Sequence, residues 1–179
     1  MPDQAFDYQP VLQGVSLRLE SLTRLHFEAM LLAASDPLIW AGHPSADRYK
    51  PEVFEPYLET LLATGKALAV IDVRQGTVIG GSSYYTPPDQ LDGIAIGFTF
   101  LVRAHWGGAS NRELKGLMLE HAFKRHDRVF FHIAPTNIRS QKATLKLGAE
   151  HLYDAQLNLS GASRLWKCYA LTRARWAHR

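Results

Sequence analysis

Cysteine is nearly absent: Cys168 is the one thiol in 179 residues. No intrachain disulfide can form, and multi-cysteine metal sites are excluded, so no metal is expected. Long apolar runs are missing too, with nothing approaching the roughly 18 residues that a membrane span requires. The opening residues MPDQAFDYQP carry neither a basic stretch nor an apolar one, so nothing predicts secretion and a cytoplasmic location is expected. With 13 Gly and 9 Pro, and 46% hydrophobic against 21% charged residues, the composition excludes collagen-like and disordered chains. No internal repeat, low-complexity stretch or long linker occurs. Residues 1–179 are therefore expected to form a single domain.

Charge is present but unevenly spread. The net +3 divides into 6 Lys/Arg against 12 Asp/Glu over residues 1–101, and 14 against 5 over residues 102–179. Such a split suits an anionic ligand on one side and a cationic one on the other, or is solvated surface.

Periodicity supplies the elements. Val15–Leu19 alternates as a half-buried strand, Thr23 caps a helix ending before Asp36-Pro37, and residues 36–50 read as loop. A second helix carries Val53, Phe54, Tyr57, Leu58, Leu61 and Leu62 up to Gly65, with Pro56 predicting a kink or a later start. Ala67–Val73 and Thr77–Tyr85 form a hairpin around Arg74-Gln75-Gly76, followed by a strand at Ile94–Val102. A helix follows Gly107-Gly108, then a strand at Arg128–Ala134, a helix at Asn137–Leu147, and two strands, 151–159 and 164–172. This order predicts an α+β fold, a mixed sheet with packed helices.

Two stretches carry chemistry. In Leu101-Val-Arg-Ala-His-Trp-Gly107-Gly108-Ala109-Ser110-Asn111-Arg112, a strand runs through small residues into a helix. Unpartnered amides and the positive end of the helix dipole then face one point, an anion cradle unless the glycines only make a tight turn. Arg112 and Lys115 oppose that dipole. The spacing is neither a P-loop nor G-x-G-x-x-G, which argues against an NTPase and a dinucleotide fold. In the second stretch, Asn137 stands where a cap belongs, and Arg139, Lys142 and Lys146 give the next helix a basic face.

Together, Trp106-Gly-Gly-Ala-Ser-Asn-Arg-Glu113 and Asn137-Ile-Arg-Ser140-Gln-Lys-Ala with Lys146-Leu-Gly148-Ala resemble the GNAT superfamily of acetyl-CoA-dependent acetyltransferases, in its RimJ/RimL branch. The resemblance covers about residues 12–172. It implies a mixed, mostly antiparallel sheet, splayed between the fourth and fifth strands, with helices on both faces. It also implies that Gly107, Gly108, Ala109, Ser110, Asn111 and Arg112 meet the CoA pyrophosphate, with Lys142 among the cations flanking the phosphates. By the same resemblance, Phe100, Leu101 and Val102 with the rest of their strand pair with the pantetheine arm, Asn137 contacts it, and Ser140 lies near the sulfur.

Two departures bear on catalysis. Thr144 stands where many members have a tyrosine acid, and Ala95 where many have a glutamate base. An amine attacking a thioester must lose a proton while CoA leaves as a thiolate, so a base is useful and a donor to sulfur helps. Ser140 is the candidate donor; His132 and Glu150 are candidates for a water-relayed base, with Asp92 and His105 behind them. Cys168, on a strand without a paired histidine, reads as structural. The expected activity is N-acetylation of a primary amine, on a protein N-terminus or a small molecule, in a ternary complex. The alternative is a CoA-binding sensor without turnover. A third reading, nucleic-acid binding through the basic tail Arg164–Arg179, lacks an aromatic–basic motif. No membrane partner is expected, and the chain is expected as monomer or homodimer. The charge split then places the anionic cofactor on the basic half and a cationic amine on the acidic half.

Overall fold

The structure, a computed structural model, describes residues 5–178. The first four residues of the N-terminal segment and Arg179 of the basic tail lie outside the described residues. Eight strands form one sheet in the order β1-β2-β3-β4-β5-β6-β8-β7: β1 (Leu12–Gln13), β2 (Leu17–Ser21), β3 (Ala67–Asp72), β4 (Thr77–Tyr85), β5 (Ile94–Leu101), β6 (Arg128–Ile133), β7 (Glu150–Asn158) and β8 (Ser163–Thr172). Every neighbouring pair is antiparallel except β5 and β6. The short β1 precedes the first expected strand, so the expected fourth and fifth strands are β5 and β6.

Helices cover both faces: α1 (Phe27–Ala34), α2 (Pro37–Trp40) and α3 (Pro51–Thr64) on one, α4 (Ser110–Ala122) on the other. β3 shows why its sequence alternates nothing. Leu68 and Val70 pack with Leu114, Met118 and Leu119 of α4, while Ala67 and Ala69 pack with Phe54 and Leu58 of α3. A strand buried on both faces reads as a continuous apolar run. α5 (Ile138–Lys146) follows β6, and α6 (Arg173–Ala177) follows β8. Among the described residues no helix is long and apolar enough to cross a membrane.

Two expectations are corrected. Pro56 does not mark a later start of α3, which begins at Pro51, carries Pro56 inside it and stops at Gly65 in the left-handed region. Glu52, four residues earlier, and Pro56 are both exposed, so water can satisfy the carbonyl that the missing N–H abandons. Residues 36–50 are not all loop either. Asp36 caps α2 by accepting from the Leu38 amide at 2.9 Å, with Pro37 preset for the first turn.

Candidate active site

The site begins with a register error in the sheet. Gly81 pairs with Phe100 and Ser83 with Gly97, so Phe98 and Thr99 on β5 oppose the single residue Ser82. Phe98 adopts φ 53, the one positive value among the non-glycine residues described. The extra residue and its left-handed turn bend β5. It pairs with β6 only at Ile94–Val129 and Ala95–Phe130, and the strands part beyond. A cavity of about 570 Å³ occupies the gap.

One end of this cavity is cationic and has an open backbone. Gly107 (φ 70) and Gly108 lie before α4, and a Cβ at either would meet no atom within 4 Å. Asn111 and Arg112 line this end from α4, and Lys142 and Lys146 from α5. Backbone amides at a helix start, open space and four nearby polar or cationic side chains are the chemistry that holds a pyrophosphate. Arg139 stacks 3.5 Å above the Trp106 ring and donates to the Ile39 carbonyl at 3.3 Å, tying α5 to α2.

Phe100 and Leu101 line the cavity, whereas Val102, Ala109 and Ser110 do not. The Val102 amide is taken by the Ile79 carbonyl at 2.8 Å, and Ala109 is the residue preceding α4. The Ser110 hydroxyl is paired with His105 Nδ1 at 2.9 Å. Asn137 caps α5, its Oδ1 accepting from the Ser140 amide at 3.2 Å, and both residues line the cavity. Beneath the splay, buried Lys115 donates to Thr99 Oγ1 at 2.7 Å, and burial pushes its pKa down to about 7.

His132 reaches the cavity through another residue. Its side chain is fully buried, and Nδ1 lies 2.7 Å from the hydroxyl of Tyr85, which lines the gap. Nε2 faces Asp89 Oδ1 at 3.5 Å, and Tyr153 donates to Asp89 Oδ2 at 2.6 Å. These partners assign the tautomer: Tyr85 donates to Nδ1, and the ring proton sits on Nε2 toward the carboxylate. Burial lowers the His132 pKa against the opposing pull of Asp89, and burial raises that of Tyr85. Donor atoms of Asp89, His132 and Cys168 lie within 4.8 Å of one another, a set whose types can ligate a metal. Burial pushes the Cys168 thiol up to about 11, away from the thiolate that ligation needs.

Glu150 does not join this group. It is exposed at the start of β7 and ion-paired with Arg175. Asp92 lies off the cavity, and His105 faces Ser110 and Asp72. Thr144 and Ala95, where an acid and a base are commonest in the resembling family, are both buried. The basic tail is largely neutralised: Lys167 pairs with Asp154, Arg173 with Asp127 and Arg175 with Glu150.

The cavity lining gives the expected acidic acceptor side no support. Among the described residues no aspartate or glutamate lines the cavity, and Arg48 stands there instead, beside His43, Trp40 and Tyr57. Burial, then Arg48 and Arg164, push the His43 pKa down to about 3, leaving it neutral. Sequence reasoning missed Arg48 and Asp89 and placed Tyr85 only at the end of a strand. Asp89 and Tyr85 are 43 and 47 residues from His132, without a shared local pattern.

Residues 16–150 match the family model described as the acetyltransferase (GNAT) domain. No match is found among curated proteins. A T. thermophilus protein assigned as an acetyltransferase shares 28% identity at TM-score 0.76, covering 98% of this chain and 94% of that one. A GCN5-related N-acetyltransferase from Brucella melitensis has the same fold at TM-score 0.82 and 18% identity, over 97% of this chain and 83% of that one. Mycobacterium smegmatis RimJ, solved with CoA-disulfide, does so at TM-score 0.64 and 15% identity, over 88% and 82%. With the family model spanning three-quarters of its length, and an open, cationic glycine loop beside a splayed sheet, the chain belongs to the GNAT acetyltransferases.

Proposed function

We propose that the protein moves the acetyl group of acetyl-CoA to a primary amine by direct attack within a ternary complex. The observation that carries this reading is the cavity itself, which joins a cationic glycine loop to a gap between strands lined by Tyr85 and Ser140. Bound there, acetyl-CoA supplies an activated thioester. Gly107, Gly108, Asn111, Arg112 and Lys142 hold its phosphates, and the backbone of β5 beyond Ala95, released from β6, pairs with its arm.

Tyr85 replaces both the missing glutamate and the water-relayed histidine expected from the sequence. As the amine nitrogen bonds to the thioester carbon, its proton passes to the Tyr85 oxygen while the Tyr85 proton passes to His132 Nδ1. The resulting imidazolium faces Asp89. The two transfers are coupled, because a pKa raised by burial prevents Tyr85 from ionising alone. Ser140 donates a hydrogen bond to the departing sulfur. A protein N-terminus and a small-molecule amine both remain acceptors for test. Thr144 and Ala95 favour one competing reading, a CoA sensor without turnover.

Acetyl-CoA and an amine panel, followed by thiol release and thermal shift, separate the two. Thiol release with at least one amine is expected. A thermal shift without thiol release for any amine indicates the sensor, and no shift with acetyl-CoA overturns both.

A further inference from the structure

Arg48 is the group that acetyl transfer alone leaves without a task. It is 6% exposed, with its guanidinium carbon 3.7 Å from the centre of the Tyr57 ring and 5.5 Å from that of Trp40. Nη1 lies 3.3 Å from His43 Nε2, but His43 Nδ1 accepts from the Ser45 amide at 3.0 Å, so Nε2 of this neutral ring carries the proton and offers no acceptor; the guanidinium makes no ion pair among the described residues. Exposed Asp47 attracts it without forming an ion pair, and Arg164 opposes that attraction. Aromatic faces offset part of the cost of burying a guanidinium, but an uncompensated buried charge remains unfavourable. A planar fork of five donors facing no side-chain acceptor among the described residues, at the edge of a cavity that no described carboxylate lines, matches an oxyanion.

The rings leading from Arg48 give that oxyanion a position relative to the chemistry. Tyr57 stands 6.5 Å from Phe98, and Phe98 stands 5.3 Å from Tyr85, centre to centre. The chain of rings thus ends at the hydroxyl assigned above to the amine proton. An acceptor lying along it presents its amine to Tyr85 and its opposite end to Arg48. We propose that the acceptor is an amine that also bears a carboxylate, and that Arg48 binds this carboxylate. This deepens the acetyl-transfer reading and rests on it for the amine end. The same chemistry comes from a free amino acid or from a peptide with an acidic residue near its amino terminus.

Thiol release is measured with free amino acids, their carboxamides, and short peptides with and without such an acidic residue. The carboxylate form of one class is expected to exceed its amide at least tenfold in kcat/KM, which also identifies the source. Arg48→Gln abolishes that preference chiefly through the acceptor KM, Arg48→Lys retains part of it, and both keep the KM for acetyl-CoA. A second measurement needs neither turnover nor a variant: calorimetric titration of N-acetylated amino acids and N-acetylated short peptides, each with its carboxylate or the corresponding amide, into the CoA-loaded wild-type protein. The acids of one class are expected to bind at least tenfold tighter than their amides. Equal binding of acid and amide in both classes overturns the carboxylate site. Absence of thiol release from every amine overturns acetyl transfer instead, and the calorimetric comparison still decides the role of Arg48.

Discussion

Lys115 lies buried beneath the splay, donating to Thr99 and making no ion pair among the described residues. Its pKa falls from 10.5 in the unfolded chain to about 7 in the folded one because burial disfavours the ammonium. Between those values the unfolded chain binds more protons, so this residue's contribution improves as pH rises and is worst below pH 7. Lys115→Met is therefore expected to stabilise the free protein by on the order of a few kcal/mol at pH 6, with the gain vanishing near pH 10.5. Urea denaturation across that range measures it, and a gain independent of pH would contradict the assignment. The Tyr85–His132–Asp89 relay makes a kinetic prediction. Tyr85→Phe should lower kcat roughly a hundredfold while leaving the KM for acetyl-CoA in place. Because burial lowers the His132 pKa, the imidazole remains a base below its ordinary 6.5. A loss of kcat in the wild type centred at or above that pH would argue against His132 as the proton's destination.

Among the elements, β4 and β5 depend on glycine at one close approach. A Cβ on Gly80 would press into the Phe100 carbonyl oxygen, a backbone atom that cannot turn aside. Gly80→Ala is expected to cost about 3 kcal/mol or more, read from chemical denaturation, and to disturb the bulge that parts β5 from β6. Gly108 is the contrasting case, since a Cβ there meets open space at an ordinary φ. Gly108→Val should fold with unchanged stability yet raise the KM for acetyl-CoA at least tenfold; an unchanged KM would remove Gly108 from the phosphate cradle. The sequence reveals α4, α5 and the central strands because each buries a face with its own period, and it reveals the glycine loop because that motif is local. The bulge is not legible: Ile-Gly-Phe-Thr-Phe reads as ordinary strand, and nothing about Phe98 announces a left-handed backbone. Arg48 and Asp89 escape for a related reason. Their surroundings are assembled from separate strands and helices, and no local spacing records that.

Over the whole molecule, the acidic first half contributes no carboxylate, among the described residues, to the lining of the cavity. Its carboxylates are used elsewhere: Glu59 pairs with Arg24, Glu20 with Arg18, Asp36 with Arg103, and Asp72 caps the hairpin turn at Arg74 and Gln75. The cavity is lined by Arg48, Arg112, Lys115, Arg139, Lys142 and Lys146 and, among the described residues, by no carboxylate, so its field favours anions. Acetyl-CoA affinity should therefore drop about tenfold between 50 mM and 500 mM salt, measurable by calorimetry. A salt-independent affinity would contradict this view of the cradle.

The segment from Asp36 to Lys50 carries a consequence for how such a protein changes over generations. Strand backbone and helix termini build the glycine-loop side and the gap between β5 and β6, whereas this one excursion between α1 and α3 brings Trp40, His43 and Arg48 to the same cavity. On the proposed reading, substitutions confined to these fifteen positions redirect which amine is accepted without re-pairing a single strand. Selectivity and chemistry are thus separately heritable. A duplicated copy could acquire a new acceptor while its acetyl donor stays the same.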